Sequence, residues 1–178
     1  MSHTRPVVVQ RPAVRIVGLS ITTTLQASRL RGTVTQLINT MRERRTEVAH
    51  AHGNGLLLVQ IYPRHRRFDV DVPFRAIVGI QVQQIERLPP DMISHIIPGG
   101  DFAMVTHHGP HTDIGRTYHA IYRYGLRQLE RWSAGFDVEV LGDQLPNADT
   151  QPPVDIYVAL QRRAPTRRSF MADEDGIW

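Results

Sequence analysis

Two carboxylates, Asp137 and Glu139, stand two residues apart in the otherwise apolar run Phe136-Asp137-Val138-Glu139-Val140-Leu141. In an extended strand, residues i and i+2 share a face, so the two acids point the same way. A carboxylate set among aliphatic side chains is costly unless something pairs with it, and burial raises its pKa. A group of that kind selects cations or serves as a general acid or base near neutrality. Glu139 is the main candidate and Asp137 the alternative acid; which of them faces a pocket stays open at this stage. The plainer reading is a strand carboxylate that points at water or pairs with an arginine.

Aromatic residues could supply the walls of such a pocket. Tyr118 and Tyr122 lie one helical turn apart and share a face, and Phe102 sits on the strand before them. Tyr62, Tyr157 and Trp132, with Leu141 beside Glu139, complete a lining suited to flat or cationic ligands. The competing explanation for tyrosines at helical spacing is ordinary core packing.

Other chemistries find less support. The chain has no cysteine, which excludes disulfides, thiolate zinc sites and a cysteine nucleophile. His107, His108, His111 and His119 do not follow an established zinc spacing, and His107 and His108 would point to opposite strand faces. Glu47, His50 and His52 form a second loose group. No metal or other cofactor is expected, and His108 is read as a capping or hydrogen-bonding residue near the Gly109 turn. Gly53-Asn54-Gly55 and Gly99-Gly100 lack the spacing and following lysine of phosphate loops. Arg64-His65-Arg66-Arg67 and the arginines after residue 161 lack interleaved aromatics, so they read as solvated segments.

These residues need elements to position them. The chain has 178 residues, 41% hydrophobic and 21% charged, with a net charge of +4. That suits one packed domain with no global disorder. No apolar run approaches the length of about 18 residues that a membrane span needs, and the N-terminus lacks a signal-peptide pattern. The expected location is cytoplasmic.

Residues 1–6 read as a loose tail. Strands are expected at 7–9 and 15–24, interrupted at Arg11-Pro12 as at a sheet edge or bulge. A helix capped by Ser28 follows, with Leu30, Val34, Leu37, Ile38, Met41 and Val48 as its apolar stripe, fading before a turn at Gly53-Asn54-Gly55. Strands are expected at 56–62, 68–72 and 76–82. The pattern then repeats: a strand at 101–108, a helix from Thr112 or Asp113 to Trp132, and strands at 136–142 and 154–160. The helix stripe is Ile114, Tyr118, Ile121, Tyr122, Gly125, Leu129 and Trp132, with Arg131 among the residues facing away. Residues 162–178 read as an irregular tail that could dock a protein partner.

The order strand-helix-strand-strand, twice, predicts an α+β fold. Duplicated βαββ modules, halves about 7–83 and 98–161, form an antiparallel sheet with two helices on one face. The ligand cleft would lie near the pseudo-twofold axis.

Five segments carry a family resemblance. Val9-Gln10-Arg11-Pro12-Ala13-Val14-Arg15-Ile16-Val17-Gly18-Leu19 resembles the first strand of the GyrI-like, or AraC-type effector-binding, small-molecule-binding domains. Ile97-Pro98-Gly99-Gly100-Asp101-Phe102-Ala103-Met104-Val105 is similar to that family's proline, small residue, glycine, x, aromatic, alanine strand, and His108-Gly109-Pro110 to the histidine-glycine after it. Val138-Glu139-Val140-Leu141 resembles the strand bearing the family's glutamate, and Val154-Asp155-Ile156-Tyr157-Val158 its closing strand. The resemblance covers residues 7–161. It implies a pocket for lipophilic, often cationic or aromatic, compounds, with Glu139 as the glutamate that meets positive charge. Leu141 stands where the family carries a tyrosine.

With no helix-turn-helix region recognised, the expectation is a stand-alone, multidrug-type binding module related to transcription regulators, without direct DNA binding. Two alternatives are kept. One is a hydrolase of strained electrophilic small molecules, with Glu139 activating water and Tyr118 or Tyr157 assisting. The other is a regulator acting through a protein partner by way of the C-terminal tail.

Overall fold

The computed structural model describes residues 5–63, 70–142 and 152–161. The basic run 64–67, most of the linker expected at 144–153 (residues 144–151) and the tail 162–178 lie outside the described residues.

The elements follow in order β1 (Val7–Arg11), β2 (Val14–Thr23), α1 (Leu25–Arg31), α2 (Thr33–Glu43), β3 (Ala51–Ile61), β4 (Phe74–Val82), β5 (Ile93–Ile97), β6 (Gly100–His107), α3 (Ile114–Ala120), a π-helical turn (Ile121–Gly125), α4 (Leu126–Gln128), β7 (Ser133–Leu141) and β8 (Val154–Leu160). The strands form one antiparallel sheet in the order β1-β6-β8-β7-β3-β4-β2-β5. This is the duplicated βαββ architecture. Strands β3, β4 and β2 of the first half mirror β7, β8 and β6 of the second, and the pseudo-twofold axis falls between β3 and β7.

Each half lends a strand to the other. β1 precedes the first half but pairs with β6, and β5 precedes the second half but pairs with β2. One register runs through both pairings, with Arg11 opposite Gly100 and Val14 opposite Ile97. Because β1 runs on into β2 and β5 into β6, the sheet curls until its two ends meet. At that crossing Pro12 and Pro98 spare the ladder a donor where the pairing changes. A side chain on Gly99 would sit 2.6 Å from the Ala13 amide nitrogen, so only glycine lets the two chains pass.

The curl buries both faces of the sheet. The face under the helices packs Leu56, Leu58, Val78, Ile156 and Val158 against Val34, Leu37, Ile38 and Met41 of α2, and against Ile121 and Leu126. The opposite, inner face holds a smaller cluster of Ile16, Leu57, Val59, Ile77, Ile97 and Val138.

Several sequence expectations change at element boundaries. The first helix starts at Thr24, whose hydroxyl accepts from the Ala27 amide, and not at Ser28. It ends at Gly32 in the left-handed conformation, φ 63°, and α2 restarts from there, which leaves Leu30 exposed at 78%. Gly53-Asn54-Gly55 makes no turn between helix and strand; it lies inside β3, at the register shift between Ala51 and Leu56. Of the strand expected at 68–72, residues 70–72 form turn and bend, and the other two lie outside the described residues. Pro6 belongs to no loose tail: it is buried, and a Cβ on Gly125 would lie 2.6 Å from its ring. The second helix stops at Gln128, four residues short of Trp132. Arg131, expected to face away, instead bridges Asp101 at 3.1 Å and the carbonyl of Gln161 at 2.7 Å.

Candidate functional site

Strand β7 carries Asp137 and Glu139 beside the pseudo-twofold axis, opposite Gln60 and Leu58 of β3. Alternation puts both acids on the helix-covered face, so the question of which one turns inward has the answer that both do. Asp137 is 0% and Glu139 3% exposed.

The second helix lies above them. Tyr118 Oη donates to Glu139 Oε1 at 2.8 Å. Gln60 Nε2 donates to the same oxygen at 3.0 Å and also to the Tyr118 hydroxyl at 3.0 Å. Tyr122 Oη lies 2.8 and 2.9 Å from the two Asp137 oxygens, and Tyr62 is a further hydrogen-bond partner of Asp137. Between the tyrosines the helix passes from α to π geometry at Ile121. Such one-turn widenings gather at functional sites.

The electrostatics are unusual because neither acid is paired with a cationic side chain among the described residues. None of the ion pairs among the described residues includes Asp137 or Glu139. Burial is the main cause that raises Asp137 to about 7, against the hydrogen bonds from Tyr122 and Tyr62, with the charge of Glu139 adding to the rise. Burial likewise raises Glu139 to about 7, opposed by Tyr118 and Gln60. The same burial, reinforced by the acids, pushes the Tyr62, Tyr118 and Tyr122 hydroxyls well above their ordinary value, so they stay neutral donors. The two acids differ in one respect: both Asp137 oxygens have partners, whereas Glu139 Oε2 is buried with none among the described residues.

The expected lining residues divide between the two faces. Tyr118, Tyr122 and Tyr62 gather over the acids. Leu141 is buried on the same face, across from Leu56, and floors the site with apolar surface. Phe102 and Tyr157 lie on the inner face, where their rings meet edge to face at 6.3 Å and Arg11 stacks over Tyr157 at 4.1 Å; they do not reach Glu139. Trp132 is 75% exposed beyond the helix end and joins neither group. His107, not His108, makes the local hydrogen bonds, to Thr117 at 2.8 Å and the Pro110 carbonyl at 3.1 Å, while His108 is exposed. Glu47 pairs with Arg44 and His50 with Glu86. No group of three metal-ligating side chains occurs among the described residues.

Gln60 is the site residue that sequence reasoning missed. It is the lone polar side chain within Leu56–Ile61, and that oddity was its signal.

The acids lie beside the pseudo-twofold axis, and the sequence matches the model of the GyrI-like small molecule binding domain over residues 4–161. The chain belongs to that family. No curated protein sequence matches it significantly. Solved structures of similar fold include the EcmrR–DNA complex, with a TM-score of 0.68 at 9% identity over 89% of this chain and 57% of that one. Another is SAV2435 bound to tetraphenylphosphonium, with a TM-score of 0.65 at 11% identity over 89% and 94% of the two chains. A structure described as a hydrolase encoded by lin2189 from Listeria innocua aligns at a TM-score of 0.51 and 8% identity over 88% and 92%. At these identities the likeness establishes the GyrI-like fold alone. No helix among the described residues is long and apolar enough to cross a membrane.

Proposed function

We propose that this GyrI-like domain binds lipophilic aromatic cations between the sheet and the second helix, with Glu139 as the group that meets the positive charge. One observation carries the reading: a buried carboxylate with a free oxygen and no cationic side chain of the described residues paired to it. Such a group is expensive in an apolar interior until a counter-charge arrives. Tyr118, Tyr122 and Tyr62 supply ring faces on which a cation rests favourably. Asp137, already held by two tyrosine hydroxyls, orders the lid. In the structure the tyrosines close over the acids, so a ligand enters by displacing the second helix. That helix suits the role, since no residue of α3 is fully buried, Ile114 and Tyr118 pack only partly buried against the core, and the buried anchors belong to the π turn and α4.

The test is a thermal-shift and calorimetric comparison of tetraphenylphosphonium with neutral triphenylphosphine oxide. Ligands that bind only the native state raise the melting temperature. The cation should bind wild type and lose at least about tenfold in affinity with Glu139→Gln, a loss of roughly 1.4 kcal/mol. Equal affinity in both proteins would remove Glu139 from the site.

A second reading rests on the same pair of groups. A carboxyl group raised to about 7 beside a tyrosine hydroxyl at 2.8 Å has the protonation needed for general acid–base work at neutral pH. It would activate water toward a strained electrophilic substrate. Product formation from an epoxide panel, abolished by Glu139→Gln while binding survives, would favour it.

A further inference from the structure

Glu139 Oε1 accepts from Tyr118 and Gln60, and the other oxygen meets nothing polar among the described residues. Among the described residues, the elements around it bring the following side chains. β3 and the residue after it bring Leu58, Gln60 and Tyr62; the second helix brings Tyr118 and Tyr122; β8 places Ile156 opposite; α2 contributes apolar side chains to the shared core; and Asp137 is the other acid that acts on it among the described residues. No cationic side chain in that set neutralises the carboxylate. With Oε1 already taken by two donors, the unpartnered oxygen is the one place left for a proton. We propose that the site exchanges a proton for its ligand: the closed, empty pocket holds Glu139 as the neutral acid with its proton on Oε2, and an incoming monocation takes that proton's place. The step is Glu139–COOH plus the cation giving the carboxylate–cation pair plus one proton released to water. It rests on the binding reading above and adds its stoichiometry and its control by pH.

Burial, which raises the group's pKa, fits the same scheme. Below the free protein's titration point each bound cation must expel a proton, so affinity falls about tenfold per pH unit as the solution is made more acid. Above that point the carboxylate is already ionised, the exchange vanishes and affinity levels off. Asp137 does not take part, because Tyr122 and Tyr62 already satisfy it.

The experiment titrates full-length protein with tetraphenylphosphonium from pH 5 to pH 9. Calorimetry in two buffers of different ionisation enthalpy counts the protons released. The expected result is close to one proton per cation at pH 5.5, falling toward none at pH 9, with affinity rising and then flattening. Triphenylphosphine oxide should release none. Asp137→Asn should keep the exchange and Glu139→Gln should lose it. Cation binding without proton release, or release that survives Glu139→Gln, would overturn the exchange while leaving the binding site in place. No cation binding at any pH would overturn the binding reading and the exchange together.

Discussion

The two halves of this molecule share a topology and divide the work. In the first, α2 seals Val34, Leu37, Ile38 and Met41 onto the sheet, and its central strand β3 presents Leu56 and Leu58 to them. In the second, α3 buries nothing fully, and the matching strand β7 presents Asp137 and Glu139. A duplicated fold offers two equivalent places beside one axis. Here one is filled with hydrocarbon, and the other holds two buried acids bonded to tyrosine hydroxyls. The difference lies in the side chains these two strands present, since β3 and β7 pair with each other in unbroken register from Leu56 opposite Leu141 to Ile61 opposite Phe136.

The comparison can be broken most directly through α2. Met41→Ala removes a side chain with 0% exposure and should cost about 2–5 kcal/mol in denaturant unfolding. Tyr118→Phe in the second helix should cost far less and act chiefly on cation affinity. Similar stability losses in both would mean that the second helix is as firmly seated as the first.

The next effect is of pH. Asp137 and Glu139 bind protons more tightly folded than unfolded, so their contribution to stability is full below the unfolded carboxyl range and is lost as pH rises to about 7. From these two groups alone, stability should fall between pH 5 and pH 8 by on the order of 3 kcal/mol per acid. The double variant Asp137→Asn with Glu139→Gln should flatten that slope. A wild-type slope that persists unchanged in the double variant would locate the titration elsewhere.

Tyr122→Phe should cost about 1–2 kcal/mol by leaving Asp137 short of a donor and should push the Asp137 titration higher, readable by carboxyl NMR. Trp132→Ala sits at the small end, within about 0.5 kcal/mol and with tetraphenylphosphonium affinity unchanged. A loss of binding there would extend the site beyond the helix end.

Much of this was legible in the residues. The β-branched runs, the repeat of strand, helix and two strands, and the i, i+2 relation of Asp137 to Glu139 led directly to the sheet and to both acids on one face. The lining was harder to read because the curled sheet buries both of its faces. Phe102 and Ala103 are then equally inside, and alternation no longer tells which one lies under the helices. Trp132 continued the helical stripe on paper, but the π turn and the end at Gln128 carry it out to solvent. Gly32 was visible as a residue, yet its left-handed turn, which divides α1 from α2, follows from packing that the stripe does not encode.

The exchanged strands bear on how the chain acquires this shape. β1 finds its partner in β6, and β5 finds its partner in β2, so neither half completes its sheet before the other has been made. Pairings so distant in sequence are slow to form, because a large loop must close before any contact rewards it. Once formed, they bind the two halves into one cooperative unit. A severed half should therefore fail to fold alone, and a displacement of the second helix would leave both ends of the sheet held by a strand from the other half.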